Sequence, residues 1–83
     1  MSIDLHPHAL IRAIERGATK EEIINTVESG EQFPAKFGRT GFRKNFLFNA
    51  EWNNKYYVTK QVEAYCVKEH KKWLVITVIV KYF

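Results

Sequence analysis

His8, Arg12 and Arg16 follow one another at spacings of four. On a helix that spacing puts all three on one face, opposite Leu10 and Ile14. Histidine is the usual acid or base near neutral pH, and two arginines beside it can grip a phosphate. The same stripe is also what a solvated helix face looks like, with Arg12 or Arg16 paired to Glu15 or to a second helix. A second constellation is Lys36-Phe37-Gly38-Arg39-Thr40-Gly41-Phe42-Arg43-Lys44. Two glycines three apart let the backbone come close to an anion, and four cations, Lys36, Arg39, Arg43 and Lys44, surround them. Phe37 and Phe42 offer stacking surfaces for bases. The plainer reading is a turn that enters a strand. A third group, Thr77, Lys81 and Tyr82, can hold or polarise a phosphodiester, although threonine within a strand is more often only a strand former.

Other chemistries find less support. The Gly38-x-x-Gly41 loop precedes a strand, whereas the G-x-x-G of KH domains joins two helices, and no G-K-[ST] follows it to make a Walker loop. His6 and His8 stand at alternate positions, do not converge on a helix and have no third ligand nearby, so neither metal nor cofactor is expected. Cys66 reads as a buried small hydrophobe. No Ser-His-Asp order, nucleophile elbow or dinucleotide fingerprint is present.

The elements that must position these groups follow from periodicity. Pro7 suits a first helical turn, Leu10, Ala13, Ile14 and Gly17 fall on one face, and Gly17 is the natural stop. Thr19 with Glu22 three residues on is a capping box for a second helix, with Ile23, Ile24 and Val27 buried and Gly30 at its end. Glu31 to Lys36 predicts a short edge strand, since Pro34 bars a central position. Phe42 to Asn49 alternates, Asn53-Asn54 is turn chemistry, and Tyr56 to Val67 and Trp73 to Tyr82 are the remaining strands. Pairing Val67 with Trp73 sets Glu63 opposite Thr77 and Val62 opposite Val78. Pairing Phe48 with Val58 sets Arg43 opposite Glu63 and Phe46 opposite Lys60. The helices then cover Val58, Val62, Ala64, Leu74, Ile76, Val78, Val80, Phe46 and Phe48. Arg43, Glu63 and Thr77 form a row on the open face. Lys60 is a charge on the apolar face and must lie at a rim or snorkel out. The predicted fold is α+β: an N-terminal helical hairpin packed on one face of a three- to four-stranded antiparallel sheet.

The 83 residues bound the chain to one domain, 1–83. Residues 1–31 hold six acids and three bases, residues 32–60 six bases against Glu51, and the remainder four bases against two acids. An acidic front and a basic middle point to an anionic partner met by one face. The longest apolar run, Leu74 to Val80, falls far short of a membrane helix. No basic-then-apolar segment marks a secretory signal. One cysteine excludes a disulfide framework, and a cytoplasmic protein is expected.

The order His8, Arg12, Arg16-Gly17, a Thr19-capped helix, a basic glycine-rich stretch and a final Val75-Ile76-Thr77-Val78 strand resembles a small bacterial family of domains of unknown function. Through it the chain resembles the small ribonuclease folds of RelE-type toxins, barnase and the endonuclease-U and colicin-type enzymes. The resemblance implies a catalytic histidine at His8, a phosphate or 2′-hydroxyl contact at Thr77, and phosphate contacts by Arg43 and Lys60. The expected function is a small RNA-binding, metal-independent RNase-like domain of toxin type. Its catalytic residues are His8, Thr77 and Lys60, and its RNA contacts Arg12, Arg16, Lys36, Arg39, Arg43, Lys44 and Lys81. RNA and an antitoxin-like protein are its expected partners. The alternative is a non-catalytic interaction or homodimerisation domain whose sheet face carries Tyr57, Tyr65, Trp73, Val75 and Ile79.

Overall fold

The chain is described as a computed structural model over residues 2–83. Its first element is a strand. Ser2-Ile3-Asp4-Leu5 alternates polar and apolar residues, the period of a half-buried strand. This strand, β1 (Ser2–Leu5), turns Ile3 and Leu5 to the core, and Asp4 pairs with Lys72 at 2.9 Å. It lies parallel to β5 (Lys72–Tyr82), with Ser2 beside Lys72 and Leu5 beside Val75. The His6 amide donates to the Val75 carbonyl at 2.9 Å and closes this ladder.

Helix α1 (Pro7–Glu15) begins at once. His6 is its N-cap, and the His6 Nδ1 accepts from the His8 amide at 3.1 Å. Gly17 follows the helix at φ +93°, a left-handed conformation suited to glycine at a helix end. Thr19 caps α2 (Lys20–Ser29) with the full capping box: the Glu22 amide donates to Thr19 Oγ1 at 3.1 Å, and the Thr19 amide donates to Glu22 Oε1 at 2.9 Å. Ile23, Thr26 and Val27 supply its buried face.

The remaining strands are β2 (Glu31–Pro34), β3 (Thr40–Trp52) and β4 (Lys55–Glu69), with a short 3₁₀ turn (Lys36–Gly38) between β2 and β3. The sheet order is β1-β5-β4-β3-β2. All pairings are antiparallel except β1 with β5. The expected helical hairpin on a three- to four-stranded antiparallel sheet is therefore corrected to two helices on a mixed five-stranded sheet. A four-residue strand ahead of α1 is the reason. It fills the position beside β5, so α1 packs on β5 while α2 packs on β4 and β3, and the helices make little contact with each other. The core between helices and sheet holds Ala13, Ile23, Val27, Phe42, Val62, Ala64, Cys66, Val75 and Val78.

The two long hairpins differ from expectation in register. Asn53 and Asn54 both take positive φ, 51° and 67°, and make a two-residue turn between Trp52 and Lys55. Arg43 opposite Glu63 and Phe46 opposite Lys60 are as predicted. Phe48 opposite Val58 is not, because a bulge interrupts the ladder between Leu47 and Ala50, with Asn49 at φ 45°. Val58 is exposed rather than covered. In the second hairpin His70 takes φ 56°, Glu69 pairs with Lys72, and the connection is two residues rather than five. Val67 consequently faces Leu74. A further bulge between Cys66 and Tyr65 sets Tyr65 opposite Thr77 and Glu63 opposite Ile79. Beyond the bulge the shift is two residues, so Thr77 keeps its predicted face. Before it the shift is one residue, which turns Trp73 and Val75 under the helices. Val75 is fully buried, and Trp73 packs edge-on against Phe42. Trp73 and Val75 thus leave the open-face surface proposed for a protein partner.

Candidate functional site

The face of the sheet away from the helices is ordered in rows. Glycine is needed at one point of it. Gly41 lies opposite Phe33 on one side and Tyr65 on the other, and the Phe33 ring lies over its backbone so closely that any Cβ there would clash with the ring. Phe33 also meets Tyr65 edge-to-face, with centroids 5.9 Å apart, and carries the Arg43 guanidinium 4.5 Å from its centroid. The row is completed by Thr77 opposite Tyr65. Three neighbours therefore hold Phe33 in one orientation before anything binds.

The adjoining row is electrostatic. Glu31, Arg43, Glu63 and Ile79 lie side by side on four strands. Arg43 Nε donates to Glu31 Oε1 at 2.5 Å, and this bond raises the arginine pKa. Glu63 is buried, accepts from the Tyr65 hydroxyl at 2.8 Å and pairs with Lys81 at 3.1 Å. Burial first, and the bond to Glu63 second, raise the Tyr65 pKa, so the phenol stays protonated as a donor. In the third row Gln61 donates to Asn45 at 2.9 Å.

The segment between β2 and β3 arches over the first row. The Ala35 amide donates to the Arg39 carbonyl at 3.0 Å and closes the arch. Phe37 sits at its crest with φ 61° and is 86% exposed, and the Arg39 guanidinium lies 5.8 Å from its ring centroid. Between arch and sheet is a cleft of about 430 Å³, with Phe33, Tyr65, Thr77 and Ile79 on the sheet side and Lys36, Phe37 and Arg39 on the other. The tight β4–β5 turn adds exposed Lys71 at the same end of the sheet, while Lys68, near the end of β4, lies over Trp73 on the helix side.

The residues singled out by sequence are distributed unevenly. Thr77, Lys36 and Arg39 share this cleft. Arg43 lies against the Phe33 ring, and Lys81 lies on Glu63; both are matched by a carboxylate. The rest stand on the helix side. Lys44 donates to Asn25 and Ser29 of α2. Arg16 donates to the Val78 carbonyl at 2.6 Å, which anchors α1 to β5. Lys60 neither lies at a rim nor snorkels out. It is buried, donating to Glu22 Oε1 at 2.8 Å and to the Gly17 carbonyl at 2.9 Å. His8 and Arg12 are exposed on α1. His8 is in the first turn of that helix, while Lys60 is bound just past its last, roughly 12 Å further along the axis. His8, Thr77 and Lys60 are therefore not brought together: Lys60 is under the helices and Thr77 on the opposite face.

Sequence reasoning passed over Phe33, whose role depends on Gly41 across the strand pair. The available signal was a glycine in a strand, which often marks a close approach. Among the described residues no three His, Cys, Asp or Glu side chains converge on a common point, and no helix is long and apolar enough to cross a membrane. No protein-family model, curated protein or solved structure matches the chain, so its function is read from the chemistry of the cleft.

Proposed function

We propose that this protein is a binding module for single-stranded RNA, which it takes on the open face of its sheet. One observation carries the reading. Lys36 and Arg39, which have no carboxylate partner among the described residues, border a cleft floored by the fixed rings of Phe33 and Tyr65. Cations that follow the backbone, beside rings on which bases stack, are the two requirements of single-strand recognition. A duplex hides its base faces and meets only the cations. The proposal does not include cleavage, because His8, Thr77 and Lys60 stand apart.

The test is fluorescence polarisation with a labelled single-stranded RNA and its duplex between 50 and 200 mM salt. Single-stranded RNA should bind more tightly, and its affinity should fall as salt rises. Each phosphate contact on a single strand contributes about 0.7 to the slope of log affinity against log salt. The double variant Lys36→Ala/Arg39→Ala should therefore lower the slope by about 1.4. Absence of binding, or a slope unchanged in the variant, overturns the reading.

A further inference from the structure

Phe37 gains little from the fold. It is a non-glycine residue in the left-handed region, at φ 61°, and 86% of it is exposed. That backbone conformation is unfavourable for a bulky side chain, and an exposed ring contributes no burial in return. The closed arch nevertheless holds it there, through the bonds from the Ala35 amide to the Arg39 carbonyl and from the Arg39 amide to the Lys36 carbonyl. Strain maintained at the rim of a cleft has a reason if a ligand completes the contact.

Resting on the reading of the open face as an RNA surface, we infer that the cleft is a pocket for one unpaired nucleotide. Its base enters between Phe37 and the Phe33–Tyr65 floor, and its phosphate meets Lys36 and Arg39. The volume of about 430 Å³ lies near the small end of ligand pockets, which run from about 300 to 1,000 Å³. The floor is already ordered by Gly41, Arg43 and Tyr65, so a flat base meets a rigid ring at small entropic cost. The Tyr65 proton is directed to Glu63, which leaves its oxygen as an acceptor, and Thr77 lies opposite Tyr65 on the neighbouring strand. The ligand chemistry is thus an aromatic heterocycle with hydrogen-bonding edges joined to a phosphate, and neither half alone satisfies the site.

The experiment titrates the intact protein with adenosine and uridine 5′-monophosphates, ribose 5-phosphate and inorganic phosphate, followed by backbone amide NMR, and repeats the titrations with Phe37→Gly. At least one mononucleotide should shift the amides of residues 33, 35–39, 65 and 77, with an affinity at least tenfold above that of ribose 5-phosphate. Phe37→Gly places glycine where the backbone favours it, so the fold should be retained. The variant should lose fivefold or more in nucleotide affinity, as expected for one base stack, with phosphate binding unchanged. Nucleotides that bind no better than ribose 5-phosphate, shifts that map elsewhere, or an unaffected variant would each overturn the pocket. A short single-stranded RNA in a parallel titration separates the two proposals. If RNA binds and no mononucleotide enters the cleft, the pocket fails and the surface reading stands. If mononucleotides bind and RNA does not, the pocket stands and the RNA reading fails.

Discussion

Lys60 offers the sharpest test of what a charge on the helix side is for. Its ammonium touches Glu22 Oε1 at 2.8 Å and the Gly17 carbonyl at 2.9 Å, and lies 5.4 Å from the Phe48 ring centroid. The Lys60 side chain is 8% exposed and that of Glu22 21%. One lysine thus ties the end of α1 to the start of α2 and both to β4. Removing one partner of a buried pair costs about 3–5 kcal/mol because the other charge is left uncompensated. The two single variants should differ. In Lys60→Met the Glu22 carboxylate retains the Thr19 amide and some water, so the cost should be about 1–2 kcal/mol, below that range. In Glu22→Gln the buried ammonium loses its counter-charge, and about 2–3 kcal/mol is expected, at or just below that range because the Glu22 side chain is partly exposed. A domain of this length has about 4–12 kcal/mol in all, and each kcal/mol moves Tm by about 4–8 °C, so Glu22→Gln should melt roughly 10–20 °C lower. The assay is urea and thermal unfolding, followed by the fluorescence of Trp52 and Trp73 and by circular dichroism. The double variant Lys60→Met/Glu22→Gln should cost at least about 1 kcal/mol less than the sum of the single costs, because neither charge is then left unpaired. A Lys60→Met protein as stable as the parent, with no coupling to Glu22, would refute the latch and return Lys60 to the pool of chemically available cations.

Two further predictions concern the sheet. Gly41→Ala should force Phe33 off its seat at a cost of about 1–3 kcal/mol and weaken single-stranded RNA binding even where the protein stays folded. Unfolding melts paired with polarisation check both, and unaltered binding would separate Phe33 from the site. Burial lifts the Cys66 thiol from 9.0 to about 12, and burial raises Tyr65 and Tyr82 in the same direction. The folded chain therefore keeps protons that the unfolded chain releases. Stability should be intact below pH 9 and decline as pH rises from there toward 12. Cys66→Ala should flatten part of the decline, and in the native protein the thiol should resist a disulfide reagent at pH 8 until the fold is melted.

Much of the local structure was legible because it is written in short-range chemistry. Thr19 and Glu22 cap α2 reciprocally, Gly17 ends α1, and Asn53-Asn54 turns the β3–β4 hairpin. The β3–β4 register was read correctly beyond the bulge, where Arg43 faces Glu63 and Phe46 faces Lys60, but not between the bulge at Asn49 and the turn, where Ala50 faces Tyr57. The β4–β5 register was not. The lysine-rich connection looked like a five-residue loop, but His70 adopts a left-handed conformation and allows a two-residue turn. β1 escaped for a different reason. Its pairing to β5 is parallel and spans nearly the whole chain, so no turn announces it. Its only local signal is four alternating residues beside a proline that reads as a helix start.

The site was legible only in part for the same reason. Lys36, Arg39 and Phe37 are neighbours in sequence, so their composition alone marked the arch. Thr77 reached the open face because a two-residue error in register preserves parity; a one-residue error would have put it under α1, as it put Trp73 and Val75 on the wrong side. Charge counting could not tell which cations are free. Arg43 and Lys81 are matched to Glu31 and Glu63 across strands, and Lys60 to Glu22 across layers, pairings that net charge does not record. On the open face, what remains once those pairs are set aside is a small basic rim at one end of the sheet, around rings that a glycine holds in place. The strongest physical argument for a ligand there is a phenylalanine held strained and open to water above that floor.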